Sequence, residues 1–438
     1  LRKYCQFKIG TAFESSLKTI FINASVRNVE GICVKKIVSL SLVVALLLAL
    51  NACGGFAPTA SGVASTSADV IKIGVYEPAS GDNAQSGKQE TLGIQYANSL
   101  VNTVNINGKD YPIKLVIVDN QSSAERGPLV ADSLVRLGIS AVIGSYGSAV
   151  TIAASDVFSK AGIPGICATC TNPQVTMGNT NYFTLTYLDP FQGSVLANFA
   201  ANSLKAKTVY CLAQLGDNYS VDLCYYFRKA FEALGGRVVY STFLQGNTDF
   251  GPYLDSAKSS GADVFFAPLS IPSAENIIKQ ASAQNFAMPL LAGDSWDSKA
   301  ILDAAKGTNL DIYVTTYFDE KILNDQNSEF VKGFKKWINS RSANIANNGG
   351  NDTIVPVSVM AYDAYFTIIE AIKSANSTDP KAINEALWKV NFEGISGPIA
   401  FDETGNIIRN VAFIKKVNTK TGEWEVLGEK YEPANKIP

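Results

Sequence analysis

The chain contains no histidine in 438 residues. That absence removes serine–histidine triads, HExxH zinc sites and histidine general bases together, and it lowers the expectation of an enzyme. Charge is also sparse, at 17% of residues with a net of −2, so no basic surface is offered to nucleic acid. Phosphate-cradling loops are missing. Between Gly81 and Gly87-Lys88 there are five residues, and Gln89 follows where Ser or Thr would be needed. Gly144-Ser145-Tyr146-Gly147 lacks the GxGxxG spacing of a dinucleotide site. No cofactor, metal or catalytic residue is therefore expected.

The chain does carry a segment that reads as an address. Lys35 and Lys36 precede an apolar run, IVSLSLVVALLLAL, that is followed by Asn51-Ala52-Cys53. A short positive segment, an apolar stretch and small residues before the cut describe a secretory signal. The run is shorter than the roughly 20 residues of a spanning helix. Leu50-Asn51-Ala52-Cys53 resembles a bacterial lipobox, which makes Cys53 the expected lipidation site and the first mature residue. An ordinary signal peptide with an incidental Cys is the alternative. Residues 54–69 are small and polar, as a flexible tether would be. Nothing in a signal peptide needs residues 1–33, and Val34 stands directly before the lysines, so translation is expected to start near 34.

Seven cysteines are present, and export would permit disulfides. Cys211 lies in a strand-like run and Cys224 on a helical stripe with Phe227, Phe231 and Leu234, so buried small hydrophobes are the plain reading. Cys167-Ala168-Thr169-Cys170 is a lone CxxC, weak as a zinc or redox motif. Pairing of either couple is left open.

From Val70 onward, short apolar runs alternate with amphipathic stretches. Strands are expected at 71–76, 114–119, 141–144 and 163–167, with helices at 91–101, 125–137 and 149–160 between them. The series restarts with strands at 208–212, 238–243, 264–267, 290–292 and 312–316, with helices at 219–234, 250–259 and 273–284 between the first four. Repeated βα units imply parallel sheets covered by helices. The fold class is α/β, with two doubly wound parallel-sheet lobes. Long helices at 328–339 and 357–375, a helix at 381–390 and strands at 399–401 and 411–416 suggest that the chain crosses back between the lobes, making a multi-strand hinge.

Ligands of open parallel sheets bind beyond the carboxyl ends of the strands. Those ends carry hydroxyls, glycines, a few aromatics and one well-placed acid, and no base is paired with a nucleophile. Ser148 opens a helix, where its hydroxyl and free N–H groups would hold a carboxylate; a plain N-cap satisfies the same pattern. Asp294 ends a strand and could pair with a ligand ammonium, or simply serve a turn. Tyr219 and Trp296 could wall a cleft or belong to packing.

At these residues the sequence resembles the leucine/isoleucine/valine-binding protein family, the type I periplasmic-binding fold. The resemblance runs from about 70 to about 427. It is carried by Ser80-Gly81 with Ala84-Gln85-Ser86-Gly87, VIGSYGS with Ala154-Ser155-Asp156, GIPGICATCTNPQVT, GDNYS, AGDSWDS, AYDAYFTIIEAI and GISGPIAFDETGN. It implies a carboxylate-binding serine at Ser148, residues for the α-amino and α-carboxyl groups at Thr169 and Thr171, an ammonium-pairing acid at Asp294 and a second-lobe aromatic at Tyr219. Ser86 and Ser270 stand where the family often has tyrosine, which would open or polarise the side-chain pocket, with Trp296 compensating.

The implied organisation is a leader with signal peptide at 1–52, a tether at 53–69, a first lobe of 70–187 and 318–395, and a second lobe of 188–317 and 396–434. The implied function is a monomeric, lipid-anchored extracytoplasmic protein. It would close over an amino acid or similar zwitterion and deliver it to the permease of an ABC transporter. A sensory protein of the same fold, signalling to a membrane receptor, is the alternative.

Overall fold

The computed structural model describes residues 70–320, 325–409 and 411–428. The expected signal segment, the tether and Cys53 lie outside them.

Two sheets organise the chain. The first contains β1 (Ile71–Val75), β2 (Thr103–Ile106), β3 (Lys109–Ile117), β4 (Ala141–Ile143), β5 (Gly165–Cys167) and β6 (Tyr182–Thr184), in the order β2-β3-β1-β4-β5-β6. All neighbours pair in parallel except β2 with β3. The central strands are short and, Lys72 apart, apolar because helices cover both faces: Ile71, Ile73, Val75, Ala141, Val142 and Ile143 have no exposed surface. Covering helices include α1 (Ala84–Leu100), α2 (Gly127–Arg136) and α3 (Ser148–Lys160).

After α4 (Asp189–Asn198) the second sheet begins. It contains β7 (Thr208–Leu215), β8 (Arg237–Leu244), β9 (Val264–Phe266), β10 (Leu290–Ala292) and β11 (Ile312–Thr316), connected by α5 (Asn218–Ala233), α6 (Gly251–Ser259), α7 (Ile271–Ala283) and α8 (Lys299–Ala305). The chain continues through α9 (Asp325–Asn339), α10 (Ser342–Asn347), α11 (Pro356–Ala375) and α12 (Pro380–Leu387), then the hairpin β12 (Asn391–Gly394)–β13 (Gly397–Ala400). It ends on β14 (Phe413–Asn418) and β15 (Glu423–Val426), which join the second sheet antiparallel at its edge, in the order β15-β14-β11-β10-β9-β7-β8.

The expected two-lobe α/β architecture is thus present, with four strands that the sequence reading lacked, β2, β6, β12 and β15. Residues 105–109 are the tip of the β2–β3 hairpin. Asn107 and Gly108 both have positive φ (51° and 81°), the geometry of a two-residue hairpin turn. The three-residue β6 is too short to show a period.

The chain passes between the sheets three times, after β6, after β11 and before β14. α11 returns to the first sheet and lies against α1 so closely that a Cβ on Gly93 would sit 2.1 Å from the Ser358 carbonyl oxygen. Its Ile368, Ile369 and Ile372 are fully buried, each contributing about 1.5–3 kcal/mol of apolar burial. The third crossing is tied down by a buried ion triad. Lys415 Nζ lies 2.8 Å from both Asp297 Oδ2 and Asp319 Oδ2. Burial pulls the Lys415 pKa down, but the two carboxylates more than offset this and leave it raised.

Candidate functional site

In both sheets the strand order reverses beside a central strand, at β1/β4 and at β7/β9. Connections there leave in opposite directions and open a crevice beyond the strand ends. A cavity of about 410 Å³ lies where the two crevices face each other, lined from the first lobe by residues that include Asn83, Tyr146, Ser148 and Thr169, and from the second by Asp217, Tyr219, Ser270 and Asp294. Its lining includes no Lys or Arg, but Asp82, Glu125, Asp217 and Asp294 all contribute. Such a site favours a cationic or zwitterionic guest over a simple anion.

Ser148 is the first residue of α3, and Gly147 before it takes the N-cap position at φ +97°, a conformation open to glycine. The serine hydroxyl is therefore not spent on capping its own helix. The first N–H groups of a helix lack intrahelical acceptors and carry the positive end of its dipole. Ser148 and Ala149 both line the cavity, which makes this end a seat for a carboxylate.

Asp294 follows β10. Gln192 Nε2 donates to its Oδ1 at 2.7 Å and the Tyr219 hydroxyl donates to the same oxygen at 3.0 Å. Both bonds converge on Oδ1, leaving Oδ2 for an occupant of the cavity. Burial raises the Asp294 pKa to about 6, against the pull of those two donors. Asp217 is raised to about 6 by the same cause, while the Ser220 amide that it caps acts in the opposite sense. An arriving ammonium would restore the ionised form of either.

Thr169 sits on the turn after β5, between Cys167 and Cys170, which are joined by a disulfide. Cys211 and Cys224 are free and buried. Among the described residues no cluster of potential metal ligands occurs. The rim is bridged between lobes by Gln245 Nε2 donating to Asp82 Oδ2 at 3.1 Å, and by Asn172 Nδ2 donating to Asp222 Oδ2 at 2.7 Å.

Of the eight ligand-facing residues expected from the sequence, Ser148, Thr169, Tyr219, Ser270 and Asp294 line the cavity. Three do not. Trp296 is fully buried in the core of the second lobe, and its Nε1 donates to the Leu269 carbonyl at 3.1 Å, so it is a packing residue and not a wall. Thr171 is 1% exposed and outside the lining; its hydroxyl has no protein partner, and its carbonyl accepts from the Asp189 amide at 2.6 Å. Ser86 is 6% exposed on α1 beside the Tyr146 phenol, one layer behind the cavity surface. Gln192 was missed because it lies inside a helix, away from any strand end. Glu77 and Glu90, buried behind the first lobe's face, were also missed. Glu90 was detectable as a charge on the same helical stripe as Ile94 and Ala97.

The periplasmic binding protein family profile matches residues 70–422. A Leu/Ile/Val-binding protein homolog 1 of Brucella suis is 29% identical over 345 residues, covering 77% of this chain and 88% of that protein. The crystal structure of a leucine-binding protein from Thermotoga maritima superposes with a TM-score of 0.74 at 28% identity, covering 83% of this chain and 99% of that one. A branched-chain amino acid transporter substrate-binding protein of Streptococcus pneumoniae, solved with isoleucine, gives 0.71 at 26% identity and coverages of 82% and 99%.

Proposed function

The chain belongs to the periplasmic binding protein family, and on that premise we propose that it is an extracytoplasmic receptor that captures an amino acid between its lobes and delivers it to an ABC transporter permease. The observation that carries this reading is the cavity lined from both lobes, with a helix N-terminus and Ser148 on one side and Asp294 on the other. A zwitterion carries the two complementary charges. Its carboxylate would be taken by Ser148 and the first turn of α3, and its ammonium by Asp294 Oδ2, with Tyr219 and Gln192 orienting that carboxylate.

Each lobe alone offers half of these contacts. Ligand therefore stabilises the closed arrangement relative to the open one, which is what differential affinity requires of a hinge. The three crossings, near residues 187 and 318 and between Ile407 and Phe413, would form that hinge. Cys53, if lipidated, would tether the protein to the membrane surface through residues 54–69. The chemistry of transport-linked capture asks for binding without turnover, and the site offers no paired base and nucleophile.

The polar lining argues for a small or polar side chain on the ligand. A thermal-shift screen of the twenty L-amino acids, followed by calorimetry, tests the reading. A saturable shift lost in Asp294→Ala and Ser148→Ala is expected. Binding that is indifferent to both substitutions would overturn it.

A further inference from the structure

A pair of buried carboxyls lies directly behind the cavity. Glu77 follows β1 and Glu90 sits in the middle of α1, at 2% and 0% exposure. Glu77 Oε2 accepts from the Tyr146 amide at 2.6 Å, and Glu90 Oε1 accepts from the Thr169 hydroxyl. The remaining oxygens, Glu77 Oε1 and Glu90 Oε2, have no donor. The two carboxyls are close enough that the Glu77 charge pushes the Glu90 pKa up. The titratable groups around them are the phenols of Tyr76, Tyr146, Tyr182 and Tyr317, which supply no positive charge.

Two ionised carboxylates cannot share such a place. Each pays desolvation and each repels the other. One proton resolves both difficulties, because placed between Glu90 Oε2 and Glu77 Oε1 it satisfies the two orphaned oxygens at once. The deeper residue holds it. Burial first, and then the Glu77 charge, push the Glu90 pKa well above the usual carboxylate range. Glu77, raised by burial only to about 7, is then the anion of the pair above that pH, accepting on both oxygens.

The arrangement has a consequence at the cavity wall. A hydroxyl has one proton and two lone pairs. Thr169 commits its proton inward to Glu90, so its lone pairs are what it can turn toward the cavity. We propose that Glu90 is a positioning residue: a neutral carboxyl that shares its proton with Glu77 and holds the Thr169 hydroxyl as an acceptor, reserving that point of the site for a donor group of the ligand such as an ammonium. The ligand half of this rests on the solute-binding reading above; the proton assignment does not.

Glu90→Gln and Glu77→Gln separate the roles. Glutamine mimics a neutral acid that donates through one atom and accepts through the other, so it replaces Glu90. It cannot replace Glu77, where its NH2 would face either the Tyr146 amide or the Glu90 proton. In ligand-free protein at neutral pH, the infrared carbonyl band of a protonated carboxylic acid should be present in wild type, lost in part in Glu90→Gln and retained in Glu77→Gln. Melting temperature should hold in Glu90→Gln and fall in Glu77→Gln. An unchanged neutral-acid band in Glu90→Gln, or equal destabilisation by both substitutions, overturns the assignment.

For the ligand half, the probe is the amino acid giving the largest thermal shift, compared with its 2-hydroxy-acid counterpart. Wild type and Glu90→Gln should both prefer the amine, while Glu90→Leu, which leaves Thr169 unoriented, should cost roughly tenfold or more in affinity. Equal binding of the hydroxy acid overturns that half. A failure of every amino acid to bind overturns the solute reading with it and leaves the infrared result standing.

Discussion

Tyr219 donates its phenolic hydroxyl to Asp294 Oδ1 at 3.0 Å, although the tyrosine lies in the first turn of a helix and the aspartate follows a strand 75 residues later. Gly293 makes this approach possible. A Cβ there would lie 2.3 Å from the Tyr219 hydroxyl oxygen, so the residue before the acid must be glycine for the phenol to reach it.

Asp294→Ala should remove the partner of a desolvated ammonium and cost about 2–5 kcal/mol of binding free energy. Tyr219→Phe should cost less, about 0.5–1.5 kcal/mol, because Gln192 still holds the carboxylate. Gly293→Ala should behave like Tyr219→Phe or worse while leaving the fold intact. Calorimetry on the three variants gives the order.

Binding should weaken in acid. Asp294 in the ligand-free protein is raised to about 6 by burial, so below that value a proton must leave before an ammonium can pair with it. Affinity should be flat above about pH 7 and fall by about tenfold per unit well below the pKa. The same shift works against the empty protein. A carboxyl whose folded pKa exceeds its unfolded value of 3.8 loses stability as pH rises from about 4 to about 6. In Asp294→Asn the acid dependence of binding should shrink; Asp217→Asn should retain it. Binding constants measured across this range decide the matter.

The Cys167–Cys170 disulfide closes a turn of four residues around Thr169. Loop closure over so short a segment is worth only about 2 kcal/mol, so Cys167→Ser/Cys170→Ser should melt a few degrees lower. Its larger effect should be on binding, since the turn carries Thr169 into the cavity. Reductant should reproduce the loss in wild type and have no further effect in the double variant.

Lys415→Met should be the most damaging of these changes. It takes from Asp297 and Asp319 the cation that they share in the core, at a cost of about 3–5 kcal/mol. Denaturant titration should show the loss, and lowering the pH, which neutralises the two acids, should reduce the difference from wild type.

Much of this architecture is legible in the residues. Parallel strands buried on both faces are runs of Val, Ile, Leu and Ala, and 290–292 and 312–316 stand out in the sequence at the limits they have in the fold. Ser148 and Asp294 stand at strand ends, where the topology of such sheets directs attention. What escaped has physical reasons. Trp296 is one residue from cavity-lining Ser295, and the turn after Asp294 sends its ring into the core. Gln192 reaches the site from within a helix, where no local pattern tells a side chain facing another polar group from one facing water. Glu77 and Glu90 are separated by a loop and most of a helical turn pattern, and only the folded chain brings their carboxyls close together.

The threading of the chain through both sheets sets an order for assembly. By residue 184 every strand of the first sheet has been synthesised, yet α11, which seals one of its faces, begins only at residue 356. The second sheet likewise waits for β14 at its edge, which begins at residue 413. Neither half can be cut out as a continuous segment and finished alone. A chain truncated at residue 350 would contain every cavity-lining residue and still expose raw apolar surface on each half, becoming a client of chaperones and proteases before it could bind anything.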